Sequence, residues 1–123
     1  MDRTPKVFES EYRFCLILWE VEPINSTRLV GLCKERLGWS RSTTFTVIKR
    51  LCDRGVIKNE NSVVTSLLRK DEVQRSALNE LFETRFEGSI PAFVNAFAQI
   101  GNLNEKDLEE IRQMIERGMT TDD

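Results

Sequence analysis

The chain has 123 residues, of which 31% are charged and 40% are hydrophobic, and its formal net charge is −2. These values are typical of a soluble globular protein with one domain or two small lobes. The longest apolar stretch, residues 14–19, is far shorter than the roughly 18 residues that a membrane-spanning helix needs. The first residues lack the apolar core of a secretory signal, so we expect a cytoplasmic protein without a membrane partner.

The residue types that support most catalytic and metal sites are scarce. There is no histidine, and Cys15, Cys33 and Cys52 are too far apart to form a closely spaced ligand cluster. The sequence also contains no glycine-rich loop and no convergent pair of carboxylates at a recognisable motif. We therefore predict no enzyme activity, no metal site and no cofactor. The cysteines are expected to be reduced and largely buried, with a redox-sensing thiol as the alternative.

Charge is distributed unevenly along the chain. Residues 1–69 hold twelve Lys and Arg against eight Asp and Glu, whereas residues 70–123 hold six against twelve. Between Arg28 and Arg69 the balance is nine to three, a local charge of +6. This asymmetry suggests that the first half contains a lobe that binds a polyanion.

Three helices are predicted at the start of the chain. The first covers residues 9–20, with an apolar stripe at Tyr12, Cys15, Leu16 and Trp19 that Phe14 and Leu18 widen, and Pro23 ends it. Asn25 is a suitable N-cap for a second helix, which Gly38 ends, and Ser40 is a suitable N-cap for a third helix, which Gly55 ends. The inner stripe of the third helix contains Thr44, Val47, Ile48 and Leu51.

A β-hairpin is predicted after these helices, because two β-rich runs, VIKN and VVTSL, flank a short polar turn. Three helices followed by a hairpin form a winged helix-turn-helix. We therefore predict a mainly α-helical protein with a winged-helix DNA-binding domain at residues 1–69.

Residues 70–123 contain three further amphipathic helices, capped in the second and third cases by Ser89 and Asn104. A fragment of this size rarely buries enough apolar surface by itself, so we predict a helical dimerisation domain that pairs with a second copy. The alternative is that these helices fold back onto the first lobe. The residues expected at the dimer interface are Val73, Leu78, Leu81, Phe82, Phe93, Val94, Phe97, Leu108, Ile111 and Ile115.

The third helix has a polar outer face. At 100° per residue, Ser42, Thr46 and Lys49 lie opposite the inner stripe, with Thr43, Phe45 and Arg50 on its flanks. Hydroxyl groups suit base edges in a DNA major groove, an aromatic ring suits a thymine methyl group, and cations on the flanks suit phosphates. The alternative interpretation is an ordinary solvated helix face. The residues expected to contact phosphates are Arg28, Ser40, Arg41, Arg50, Arg54 and Lys58.

Three stretches together resemble the BlaI/MecI/CopY penicillinase-repressor family: FESEYRFCLILWEV, GWSRSTTFTVIKRLCDRGVIK and FVNAFAQIGNLNEKDLEEIRQMI. The resemblance covers nearly the whole chain. It implies a homodimeric winged-helix repressor that binds short palindromes with TACA/TGTA half-sites. By the same analogy, base contacts fall on Ser42, Thr43, Phe45 and Thr46, to which the helical geometry adds Lys49.

The resemblance also implies a signalling protease as a partner. In the β-lactamase repressors of this family a protease cuts an Asn-Phe bond, and the matching bond here is Ala96-Phe97. Copper-responsive members carry paired cysteines near the C-terminus, whereas this sequence has no cysteine after Cys52. The leading hypothesis is therefore a repressor that binds double-stranded DNA as a dimer. The alternative is a winged-helix protein-interaction module that does not bind DNA.

Overall fold

The computed structural model describes residues 3–101 and 103–120, which form six helices and three short strands. The predicted fold class, a mainly α-helical chain with a winged helix-turn-helix, is confirmed. The elements are α1 (Glu9–Val21), β1 (Ile24–Asn25), α2 (Ser26–Leu37), α3 (Arg41–Asp53), β2 (Ile57–Glu60), β3 (Val63–Ser66), α4 (Lys70–Arg85), α5 (Ile90–Ile100) and α6 (Glu105–Thr120). Within the described residues, no helix combines the length and apolarity needed to cross a membrane.

The chain folds as two compact units that meet between Leu81 and Phe82. This boundary lies inside α4, because the first turns of α4 pack with the preceding residues. Val73 is only 5% exposed, and the side-chain amide of Gln74 donates to the Tyr12 hydroxyl at 3.3 Å. The functional division at residue 70 remains a prediction, but the first compact unit extends well beyond it.

Capping side chains set the helix ends of the first unit as the sequence predicts. The Asn25 Oδ1 atom accepts a hydrogen bond from the Thr27 amide at 2.8 Å at the start of α2. Gly38 follows α2 with φ of +72°, a left-handed conformation that glycine adopts without steric cost. Only two residues, Gly38 and Trp39, separate α2 from the N-cap of α3, which is Ser40.

The sheet has three antiparallel strands in the order β1-β3-β2. Strands β2 and β3 form the predicted hairpin, with Glu60 opposite Val63. The two turn residues, Asn61 and Ser62, have φ of +52° and +65°, as a type I′ turn requires. Strand β1 was not predicted: it has two residues, too few to show a period, and it forms by pairing with β3.

One hydrophobic core fills the first unit and joins its helices to the sheet. Of the apolar stripe predicted for α1, Phe14, Cys15 and Leu18 are buried, whereas Tyr12, Leu16 and Trp19 are half-buried. The α1 helix packs against both α2 and β3, and so a wider face than a single stripe enters the core. The buried core residues are Phe14, Cys15, Ile17, Leu18, Ile24, Leu29, Cys33, Val47, Ile48, Leu51, Val56, Ile57 and Val64.

Hydrogen bonds also attach the ends of α1 and α2 to the sheet. The indole nitrogen of Trp19 donates to the Leu68 carbonyl at 3.0 Å. The Glu22 carboxylate accepts from the amide of Ser66 at 2.7 Å and from its hydroxyl at 2.8 Å. The Ser26 amide donates to the Ser62 carbonyl at 2.8 Å, which connects the start of α2 to the hairpin turn.

The second unit is built around an aromatic cluster. The Phe93 ring lies 5.9 Å from that of Phe82, 5.4 Å from that of Phe86 and 6.4 Å from that of Phe97, measured between centroids. No described residue of α5 is buried, although this helix is the most apolar of the unit. The exposed large apolar side chains of this unit are Ile90, Val94, Phe97, Ile100, Leu108, Met114 and Ile115.

The predicted dimerisation residues divide into three groups by their exposure. Val73 is buried inside the first unit and offers no surface to a second copy, because its side chain is only 5% exposed. Phe82, Phe93 and Ile111 are half-buried. The remaining six have exposed side chains: Leu78, Leu81, Val94, Phe97, Leu108 and Ile115.

Candidate nucleic-acid interface

The start of α3 is held by a set of hydrogen-bonded hydroxyl groups. The Ser40 Oγ atom accepts from the Thr43 amide at 3.1 Å and donates to the Thr43 Oγ1 atom at 2.9 Å. The Ser40 and Ser42 hydroxyl oxygens are 3.2 Å apart. One of the orphan N–H groups in the first turn is thereby satisfied, and the three small side chains are fixed relative to one another.

The two sides of α3 have the predicted composition. Thr44, Val47, Ile48 and Leu51 are all buried, and the Thr44 hydroxyl donates to the Ser40 carbonyl at 3.1 Å, which makes its burial tolerable. The side chains of Ser42, Thr43, Thr46 and Lys49 are exposed. The side of the helix opposite the inner stripe therefore presents small hydroxyl groups and Lys49 to solvent, and Arg41 and Arg50 are also exposed on this helix.

Thr46 has a defined hydrogen-bonding state. Its Oγ1 atom donates to the Ser42 carbonyl at 2.9 Å, one turn earlier in the helix. Because the hydroxyl hydrogen is used in this way, the oxygen is left as an acceptor toward solvent. Such an acceptor matches the exocyclic amino groups of adenine and cytosine, which are donors in the major groove.

Phe45, which helical geometry places on the flank of the outer face, is only partly exposed. It is half-buried and packs against the core of the first unit. The Arg41 guanidinium lies over the Phe45 ring, with its central carbon 4.9 Å from the ring centroid. The ring therefore supports a cation at the first residue of α3, in addition to offering its own edge.

Arg54 has a different role from the predicted phosphate contact. Its guanidinium pairs with the Glu11 carboxylate, donates to the Lys6 carbonyl and lies 5.3 Å from the centroid of the Phe8 ring. The Arg54 side chain is 28% exposed and that of Glu11 is 5% exposed. Since the guanidinium is committed to these internal partners, we leave Arg54 out of the candidate interface.

The other predicted phosphate contacts lie on the surface of the first unit. Arg28 is exposed in the first turn of α2, and Arg50 is exposed on α3. Lys58 is exposed on β2 and lies 3.9 Å from the Glu60 carboxylate. Lys49, from the base-contact set, pairs with Asp53 at 3.2 Å, but both side chains remain more than half exposed. Exposed pairs of this kind are weak and can exchange for a phosphate contact.

An open cleft of about 380 Å³ lies beside the outer face of α3. Ser10, from the first turn of α1, lines this cleft together with Trp39 and Arg50. The Trp39 ring stacks on Phe14 with an interplanar angle of 5°, which anchors it to the core. Sequence reasoning missed Ser10, because nothing in the local sequence shows that α1 begins next to α3. The lining residues are Ser10, Trp39, Ser42, Thr43, Thr46, Val47 and Arg50.

The environments of the three cysteines all raise the pKa values of their thiols. Burial raises the pKa of Cys15 to about 12 and that of Cys33 to about 11, so both thiols stay protonated at neutral pH. Burial also raises the pKa of Cys52, which is half-buried. A thiolate is the reactive form of cysteine, so these environments do not favour a redox-sensing role. Among the described residues, no group of three His, Cys, Asp or Glu side chains is arranged to hold a metal ion.

A sequence model of the penicillinase repressor family matches residues 8–117. The chain belongs to this family. Methicillin resistance regulatory protein MecI of Staphylococcus aureus is 21% identical over 120 residues, which cover 94% of this chain and 98% of that protein. The penicillinase repressor of Staphylococcus aureus is 23% identical over 110 residues, which cover 86% of this chain and 87% of that protein.

Two solved structures of the repressor BlaI have the same fold as part of this chain. The DNA-binding domain of the repressor BlaI matches with a TM-score of 0.52 and 20% identity, over 58% of this chain and 93% of that one. Monomeric Bacillus licheniformis BlaI, in a complex with the blaP half-operator, matches with a TM-score of 0.51 and 21% identity, over the same shares. These matches identify the fold of the family's DNA-binding domain in this chain.

Proposed function

We propose that this protein is a DNA-binding transcriptional repressor that acts in the cytoplasm as a homodimer on palindromic operators. The observation that carries this proposal is the outward side of α3, where three exposed hydroxyl-bearing residues and Lys49 face solvent. Membership of the penicillinase repressor family supports the assignment. So does the half-operator bound by the Bacillus licheniformis relative, whose fold this chain shares.

In this proposal α3 enters the major groove and reads base edges through Ser42, Thr43, Phe45, Thr46 and Lys49. A helix in the groove uses its N-terminal turns for bases, and its flanks and neighbouring elements for phosphates. The proposed phosphate contacts are Arg28, Ser40, Arg41, Arg50 and Lys58, to which the cleft beside α3 adds Ser10.

Dimerisation is proposed for the second unit. Among its described residues, seven large apolar side chains are exposed, and contiguous apolar patches on a protein surface commonly mark interaction sites. A second copy of the same surface would cover it in a closed, symmetric dimer. Two copies of α3 would then meet the two halves of one palindrome.

A signalling protease is the proposed partner for induction, and the proposed cleavage site is the Ala96-Phe97 bond. This bond lies inside α5, where Ala96 is half-buried and Phe97 is 46% exposed. Cleavage would require α5 to open locally, since a protease binds its substrate in an extended conformation. The exposed position of Phe97 is compatible with such opening.

Thr46→Ala tests the base-reading role of α3. Operator sequences would first be selected from a random DNA library with the unmodified protein. At the selected operator we expect Thr46→Ala to cost about 1–3 kcal/mol of binding free energy, and much less on scrambled DNA. Fluorescence anisotropy at fixed salt measures both affinities. Thr84→Ala, the same change on α4, is the matched control and should leave both affinities unchanged.

Two results would contradict the proposal. Equal losses for Thr46→Ala on operator and scrambled DNA would show that this face does not read bases. Failure of the unmodified protein to enrich any sequence at moderate ionic strength would favour a protein-interaction module without DNA binding.

A further inference from the structure

The first turn of α3 carries a cation whose surroundings differ from those of the other cations near this face. Arg41 is the first residue of the helix, and its guanidinium lies 4.9 Å from the centroid of the Phe45 ring. Lys49 is paired with Asp53, and Arg54 is paired with Glu11. The exposed side chain of Arg50 also has no ion pair among the described contacts, but it has no aromatic ring beside it. Within the described part of the chain, Arg41 forms no ion pair, and so a neutral ring restrains it while no carboxylate neutralises it.

Phe45 can hold this guanidinium in place because its own position is fixed. The ring is half-buried against the core, one helical turn after Arg41. Side chains on a helix lean toward its N-terminus, which brings the ring of residue 45 beside the side chain of residue 41. A cation–π contact with a ring uses no hydrogen-bond donor, so the N–H groups of the guanidinium stay available to a ligand. Phe45 therefore restricts the rotamers of Arg41 without using its hydrogen-bond donors.

The position of Arg41 suits a base better than an isolated phosphate. N-terminal residues of a helix in the major groove approach base edges, and the neighbouring Ser40, Ser42 and Thr43 hydroxyls are hydrogen-bonded among themselves. A cation in the first turn is also unfavourable for the helix dipole, which the ring partly offsets. Arginine presents two parallel donors that match the N7 and O6 acceptors of guanine.

We propose that Arg41, held by the Phe45 ring, is a specificity-determining residue that reads a guanine in each operator half-site. This inference rests on the proposed function, because it assigns one base to the DNA-reading face. It also moves Arg41 from the proposed phosphate contacts to the base contacts, and it gives Phe45 the main task of positioning Arg41. The geometry thus assigns to this turn a bidentate contact to a purine, in addition to the hydroxyl contacts.

Replacing guanine by 7-deazaguanine removes the N7 acceptor and leaves base pairing intact, so it tests this contact directly. Each guanine of the selected operator would be replaced singly, and binding would be measured for the unmodified protein and for Arg41→Ala. We expect one position per half-site at which the replacement weakens the unmodified protein about tenfold or more. Arg41→Ala should lose about ten- to a hundredfold on the natural operator and no longer respond to the replacement at that position.

Two further variants separate a base contact from a general loss of charge. Lys49→Ala removes one positive charge from the same helix, and it should keep the full response to 7-deazaguanine at the Arg41 position. Phe45→Leu keeps an apolar side chain against the core but removes the ring, and it should reduce that response without abolishing it. Circular dichroism would confirm that each variant is folded.

The outcomes distinguish this inference from the proposed function. If the unmodified protein selects an operator, either of two results for Arg41→Ala would show that the inference is wrong. One is a normal response to every 7-deazaguanine. The other is an equal loss of affinity on all DNA, which would make Arg41 a phosphate contact. A selected operator without any guanine whose N7 matters would overturn it as well. If the unmodified protein selects no operator, the proposed function itself fails.

Discussion

Glu11 is 4% exposed, and its carboxylate makes two contacts that fix the start of α1. One oxygen accepts from the Phe8 amide at 2.9 Å, which caps the helix, and the other pairs with Arg54 at the end of α3. A buried carboxylate is tolerated only when it is paired and hydrogen-bonded. Arg54, at the end of α3, is therefore linked to α1 through the Glu11 carboxylate. In the described contacts, no other cation pairs with this carboxylate.

Arg54→Met should destabilise the protein, because it leaves the Glu11 carboxylate buried without its partner. We expect a loss of about 1–3 kcal/mol in the free energy of unfolding, measured by urea denaturation. The same change in a Glu11→Gln background should cost clearly less, since the charge is then absent. If Arg54→Met keeps full stability and weakens binding to all DNA, Arg54 is the phosphate contact that the sequence predicted.

The sequence predicted most of the side chains on the outer face of α3, but not the partners of the arginines around it. Helical geometry alone places Ser42 and Thr46 on the side opposite Val47, and the structure has them there. The pairing of Arg54 with Glu11 joins residues 43 positions apart, and no local pattern encodes it. The same reason explains why Ser10 was missed.

Ser40, directly before the first residue of α3, is assigned two separate roles. Ser40 is the N-cap, and its hydroxyl satisfies the Thr43 amide. It also stands at the positive end of the helix dipole, where a DNA phosphate is expected in the proposed complex. These roles can be separated, because an aspartate keeps the cap but repels a phosphate.

Ser40→Ala should lower the free energy of unfolding by about 0.5–2 kcal/mol, the usual effect of removing an N-cap. Ser40→Asp should retain near-normal stability and yet weaken binding to every DNA sequence. Urea denaturation and anisotropy titrations over a range of salt concentrations measure the two effects. Normal DNA affinity for Ser40→Asp would show that the start of α3 lies away from the phosphates.

Elements with strong local signals were predicted well, and elements that depend on distant contacts were not. The caps at Asn25, Ser40 and Ser89 are the predicted ones, and α1 ends one residue after its predicted end. Strand β1 forms because Ile24 meets Val64, forty residues later in the sequence. Its formation depends on the tertiary fold, and propensity alone gives no sign of it.

The two units differ in how many of their large apolar side chains are exposed to water. The first has one continuous core, whereas the second exposes most of its large apolar side chains around the Phe93 cluster. The domain boundary at residue 70 remains a prediction, but from the small size of residues 70–123 and from their apolar stripes the sequence predicted a surface that needs a partner. It did not predict that Val73 would be buried in the first unit, because a helical stripe does not reveal which neighbour covers it.

Val94→Asp should convert the proposed dimer into a monomer, because Val94 is 54% exposed and lies outside the aromatic contacts of Phe93. Gln99→Asp is the matched control: it adds the same charge about 140° around α5 from Val94. Analytical ultracentrifugation should find monomers for the first variant and dimers for the second.

DNA binding should follow the same division. Val94→Asp should bind a full palindrome much more weakly than the unmodified protein, because it loses the high effective concentration of the second copy. Its affinity for a single half-site should be unchanged. If Val94→Asp remains dimeric, the interface lies elsewhere.

The position of the unit boundary within α4 affects what a cut at Ala96-Phe97 would leave behind. All the contacts that build the first unit, from the Trp19–Leu68 bond to buried Val73, lie upstream of that bond. A chain cut at this bond would therefore keep an intact DNA-binding unit and lose only its proposed dimer contacts. Induction of this kind would release monomeric DNA-binding units that dissociate quickly from the operator. The DNA-binding unit itself would remain folded after cleavage.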